Sequence, residues 1–115
     1  MPPSTPAGAD PRSGVLTESR PEVERTPPRS WRVLLHNDDF TTQEFVVWVL
    51  ETVFGKSTAD AMTIMLHVHH AGIGVAGVYT REVAETKVAA TERLAEQHEY
   101  PLRVSMEPEP EESRP

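Results

Sequence analysis

The sequence predicts an α+β domain of three short strands and three helices in the order β-α-α-β-α-β. Three observations carry this expectation. Along residues 31–106 the apolar residues switch between a period of two and a period near four. Turn and glycine clusters separate the periods. A Ser or Thr heads each helical run. Three short strands cannot enclose a core alone, so the helices must cover one face of the sheet.

Trp31-Arg32-Val33-Leu34-Leu35-His36 is short, apolar and β-prone, and it stops at the turn cluster Asn37-Asp38-Asp39. Thr41 or Thr42 then caps a first helix, with Glu44 close behind. Phe45, Val46, Val49, Leu50 and Val53 fall on one face of it. Gly55 ends that helix. Ser57 or Thr58 caps a second, in which Met62, Met65, Leu66 and His69 share a side, and Gly72 closes it.

A second strand is expected at Val75–Tyr79, with a close-packed point at Gly77. Thr80 caps a third helix running to about Gln97. Its buried stripe is Ala84, Val88, Thr91 and Ala95, and Glu82, Glu85 and Glu92 make its polar back. The last strand is Pro101–Met106, in which Leu102, Val104 and Met106 alternate.

The flanks differ in composition. Residues 1–30 hold seven of the 11 prolines, no aromatic residue, and four acidic against four basic side chains. Such a stretch buries too little apolar surface to offset its ordering entropy, so a disordered extension is expected. The same holds for the acidic tail 107–115. The core is then residues 31–106, sufficient for one domain.

Composition removes several function classes. With 11 Lys plus Arg against 18 Asp plus Glu, the formal charge is -7, unsuited to gripping nucleic-acid phosphates or an anionic membrane. No cysteine is present, which excludes disulfides, thiolate catalysis and Cys-ligated zinc. The first residues, Met1-Pro2-Pro3-Ser4, have no basic region followed by an apolar one, and no apolar run approaches a membrane span. A cytoplasmic protein is expected.

Few residues offer chemistry. His67 and His70 are three apart on a helix and, with Asp38 or Asp39, would be the only route to a metal-dependent hydrolase, but no H-E-x-x-H accompanies them. No Ser or Thr sits in a nucleophile context, and adjacent carboxylates on a turn serve as caps. Met65 and His69 lie one turn apart, so a pocket between that helix and the Asn-Asp-Asp turn would join flexible apolar surface to polar groups. Spacing alone leaves open whether turn and helix face each other. A docking module without any pocket is the other reading.

The string Val33-Leu34-Leu35-His36-Asn37-Asp38-Asp39-Phe40-Thr41, with Glu44-Phe45-Val46 after it, resembles the opening of the ClpS family. Met65-Leu66-His67-Val68-His69, the block from Gly77 to Lys87, and Tyr100-Pro101-Leu102 resemble three further motifs of that family in the same order. The resemblance spans residues 31–106. It implies an antiparallel sheet beneath the three helices, and a non-enzymatic adaptor with no cofactor. Such an adaptor binds proteins whose free N-terminal residue is Leu, Phe, Tyr or Trp and hands them to a ClpA- or ClpC-type AAA+ unfoldase for degradation by ClpP.

By the same resemblance, Asn37, Asp38 and His69 hold the N-terminal amine. Asp39, Thr41, Gln43, Val46, Met65, Leu66 and Leu102 surround the side chain. Glu82 and Lys87 dock the unfoldase, and the N-terminal extension is engaged during delivery. This chain departs from the family at Thr42 and Gln43, where Pro and Met are common, so a polar side chain stands at the pocket lip.

Overall fold

The computed structural model describes residues 28–110. The expected disordered extension 1–30 and acidic tail 107–115 lie outside the described residues except at 28–30 and 107–110. Six elements follow in the expected order: β1 (Trp31–His36), α1 (Gln43–Thr52), α2 (Thr58–Ala71), β2 (Ile73–Tyr79), α3 (Arg81–Gln97) and β3 (Arg103–Pro108). The sheet is antiparallel, with β1 central between β2 and β3.

Each helix starts where a hydroxyl replaces a missing backbone partner. Thr42, Ser57 and Thr80 are the N-caps, their side chains accepting from the N–H groups of Phe45, Asp60 and Val83. Thr42 and Ser57 thus take the caps that sequence left shared with Thr41 and Thr58. α2 ends at Gly72, which adopts φ 91°, a left-handed conformation that glycine enters without a Cβ penalty.

The core lies between the helices and one sheet face. Val33 and Leu35 of β1 are fully buried against Val49 and Leu50 of α1, and Ala84, Thr91 and Ala95 of α3 complete it. Thr91 is fully buried, and its hydroxyl is satisfied by donating to the Lys87 carbonyl at 2.9 Å. The buried face of α2 corrects the expected one. Ala61, Met65 and Val68 point inward, whereas Met62 and Leu66 are 48% and 45% exposed. Apolar residues surround this helix, so its period alone favours no single face.

β2 contains a bulge. Val33 pairs with Gly77 but Leu34 pairs with Val75, so Ala76 is the extra residue. The bulge turns Ala76 and Gly77 to the same side, and the strand begins two residues before the expected Val75. β3 runs through Pro108, two residues past the expected boundary at 106. Arg32 opposite Glu107 makes a salt bridge there, and the Glu109 N–H donates to the Ser30 carbonyl at 2.7 Å.

Gly77 is needed for packing. A Cβ on it would lie 2.6 Å from Tyr79 ring carbons. That ring packs against Phe54 and carries the Lys87 ammonium 5.6 Å from its centroid. Lys87 also donates to the Val53 carbonyl at 2.7 Å, tying α3 to the C-terminal end of α1. Gly77→Ala is therefore expected to destabilise the fold by about 1–3 kcal/mol, as overpacking does, read as a lower denaturation midpoint in urea.

His36 gives the fold a pH dependence. Its Nε2 lies 2.7 Å from Ser105 Oγ, and burial, followed by the charge of Arg103, lowers its pKa from 6.5. The unfolded chain then takes up the proton first as pH falls. The His36 contribution is complete above about 6.5 and is lost as pH falls through the depressed folded value. The urea midpoint should drop over that window, and His36→Gln should flatten that part of the slope.

Candidate functional site

A cleft of about 400 Å³ opens between the loop after β1, the start of α1 and the last turns of α2. This volume lies within the range of small-ligand sites, ~300–1,000 Å³. Two hydrogen-bonding devices build its walls from the sequence up.

The first device fixes the loop. Asp38 Oδ1 accepts from the N–H groups of Phe40 at 2.8 Å and Thr41 at 2.7 Å. Asp38 Oδ2 accepts from the Thr41 hydroxyl at 2.7 Å. One carboxylate thus closes the turn that leads into the Thr42 cap. Oδ1 is thus fully used, whereas Oδ2 keeps a second lone pair, so Asp38 still has acceptor capacity.

The second device brings loop and helix together. The Asn37 N–H donates to the Gly72 carbonyl at 2.9 Å, and the Gly72 N–H donates back along α2 to Val68. Asn37 is therefore held beside the end of the helix that carries His69.

Asn37, Asp38 and His69 all line the cleft, with Asp39, Thr41, Gln43, Val46 and Met65. Leu66 and Leu102 do not line it: Leu66 is exposed on α2 and Leu102 is buried in the core. Thr42, Glu44 and Val68 line it in addition. Helix geometry signals Val68, which precedes His69 and faces inward. Glu44 follows from its place in the first turn of α1.

The lining divides into two chemistries. Val46, Met65 and Val68 are buried apolar residues at the base. Around them stand the carboxylates of Asp38, Asp39 and Glu44, the Asn37 amide and the His69 ring, and among the described residues no Lys or Arg lines the cleft. The arrangement suits a cation attached to an apolar group.

No three of the described His, Asp and Glu residues come together as a metal site. His69 and His70 rings are 5.3 Å apart, edge to face, without a converging carboxylate. The hydrolase alternative has no ligand set among the described residues. No described helix is long and apolar enough to cross a membrane.

Glu82 and Lys87 lie on α3, away from the cleft. Glu82 is exposed in the first turn, whereas Lys87 is half-buried with its ammonium on Val53 and Tyr79. The cleft uses the N-terminal end of α1 and Lys87 meets the C-terminal end, so α1 separates the two regions by roughly 15 Å.

Comparison with known proteins gives one family throughout. The family model described as ATP-dependent Clp protease adaptor protein ClpS matches residues 26–105. The ATP-dependent Clp protease adapter protein ClpS of Myxococcus xanthus is 57% identical over 97 residues, covering 84% of this chain and 91% of that one. The protein of the same name from Deinococcus radiodurans is 52% identical over 109 residues, covering 95% and 93%. Among solved structures, Agrobacterium tumefaciens ClpS2 bound to L-phenylalaninamide matches with a TM-score of 0.70 and 37% identity, covering 72% of this chain and all of that one. The chain belongs to the ClpS family of Clp protease adaptors, which are not enzymes.

Proposed function

We propose that this adaptor captures polypeptides by a free N-terminal Leu, Phe, Tyr or Trp and delivers them, in the cytoplasm, to a ClpA- or ClpC-type unfoldase for degradation by ClpP. The observation that carries the reading is the cleft lining: three carboxylates, two amides and a histidine around an apolar base, with no Lys or Arg among the described lining residues. A protein N-terminus presents three N–H donors and a positive charge. Asn37 Oδ1, Asp38 and a neutral ring nitrogen of His69 supply acceptors of the right kind. L-phenylalaninamide, the ligand of Agrobacterium tumefaciens ClpS2, combines a free amine with a large apolar side chain.

Val46, Met65 and Val68 receive that side chain, with Asp39, Thr41 and Gln43 at the rim. Burying it contributes about 1.5–3 kcal/mol. Leu66 and Leu102, expected from the resemblance at the same pocket, act at most as outer surface and core support. The α3 face around Glu82 docks the unfoldase. Lys87 contributes there mainly by holding α3 to α1, since its ammonium already has partners.

Two measurements check the amine site. Peptides beginning with free Leu or Phe should bind by fluorescence anisotropy, while the same peptides N-acetylated should not, because acetylation removes the charge and two donors. Equal binding of both forms would exclude the amine site. His69→Ala should weaken binding of the free peptide by about tenfold or more, the worth of one hydrogen bond to a charged group. Thermal stability should stay near that of the parent because His69 is exposed. An unchanged affinity would remove His69 from the site.

A further inference from the structure

A second groove of about 330 Å³ runs between α1 and α2 beside the cleft. The two share Gln43, Glu44 and Met65, so they are continuous. Beyond the shared residues the groove has Val47, Trp48 and Met62 as apolar walls and Glu51 at its far end. We propose that the polypeptide beyond its first residue crosses this groove, where a Lys or Arg side chain lies against the Trp48 indole and pairs with Glu51. This deepens the amine-site reading and rests on it.

The core does not account for the exposure of these groups. Trp48 is 39% exposed and Met62 48%. The indole is nevertheless held, by His98 at 5.3 Å and Phe45 at 5.8 Å between ring centroids. A fixed, partly exposed indole is a good surface for a cation. Glu51 is also fixed, because the Thr58 hydroxyl donates to its Oε2 at 2.7 Å. Among the described residues neither Glu44 nor Glu51 has a cationic partner within salt-bridge distance. Among the described residues no Lys or Arg lines the groove.

Spacing sets which ligand residue is read. Glu44, Trp48 and Glu51 form one stripe along α1, rising about 10 Å. An extended chain covers that distance in about three residues. Positions two to four of a ligand whose first residue occupies the cleft therefore span the groove. A Lys or Arg suits it better than an apolar residue, since its aliphatic stem covers Trp48 and Met62 while its charged head reaches the carboxylate.

The test uses the full chain and short labelled peptides. Each begins with free Phe, followed by Gly and Ser, with one Arg, Ala or Glu at position two, three or four. Anisotropy titrations should give at least one position at which Arg binds about fivefold more tightly than Glu, the size of a partly exposed ion pair with a cation–π contact. Glu51→Lys should abolish or reverse that preference. Trp48→Ala should reduce it. Both variants should bind phenylalaninamide as the parent does. Glu92→Lys, the same charge change on the polar back of α3, should keep the preference.

Arg and Glu peptides of equal affinity at every position would overturn the groove assignment alone. So would a preference that survives Glu51→Lys, or one that Glu92→Lys removes equally. Failure of every free-Phe peptide to bind would overturn the amine site and the groove with it.

Discussion

The hydrogen bond from the Asn37 N–H to the Gly72 carbonyl is the contact on which the site depends. It joins the end of β1 to the end of α2, two points far apart in sequence. It is possible because Gly72 turns into the left-handed region and presents its carbonyl outside the helix. Without that turn α2 would continue past Ala71, and Asn37 would have no backbone anchor beside His69. The sheet pins the same two points from the other side, because His36 pairs with Ile73. Loop and helix end are thus fixed by backbone bonds before any side chain is considered.

The electrostatics of the cleft follow from which helix ends meet there. α1 arrives with its N-terminal end, which carries partial positive charge and disfavours a bound ammonium. Asp38, held in the turn before α1, and Glu44, in its first turn, offset that charge. α2 arrives with its C-terminal end, whose partial negative charge favours a cation. Asp38 serves twice, since its hydrogen bonds to Phe40 and Thr41 shape the loop and its charge faces the cleft.

Much of this was legible in the sequence, for identifiable reasons. The hydroxyl caps, the glycine stop after α2 and the buried stripe Ala84–Thr91–Ala95 of α3 are local signals, and all three appear in the structure. The inward face of α2 was not legible, because Met62 and Leu66 are as apolar as Ala61 and Val68. The choice between them is made by what β2 and α1 leave uncovered. The bulge at Ala76 left no signal beyond the adjacent glycine. The meeting of Asn37 with His69 is non-local, so spacing could only allow it; family resemblance supplied it, and the Gly72 bond explains it. The engagement of Lys87 with Val53 and Tyr79 was invisible for the same reason.

The magnitudes then decide how selectivity divides in the proposed amine site. Large apolar side chains differ from one another by only ~1 kcal/mol in burial free energy. A base of Val46, Met65 and Val68 with flexible methionine therefore accepts several of them and ranks them weakly. Blocking the amine is different in kind. It removes the charge that Asp38, Asp39 and Glu44 attract and two of the three N–H donors, a loss of two hydrogen bonds to charged groups at about 1.5–3 kcal/mol each. In the proposed site the polar half thus decides whether a chain end is free, and the apolar half only whether it is large. Gln43, standing between the cleft and the second groove, adds a polar rim to the half that discriminates least. On the two proposals together, finer ranking among chain ends comes from residues after the first, where the walls change to Trp48 and Glu51.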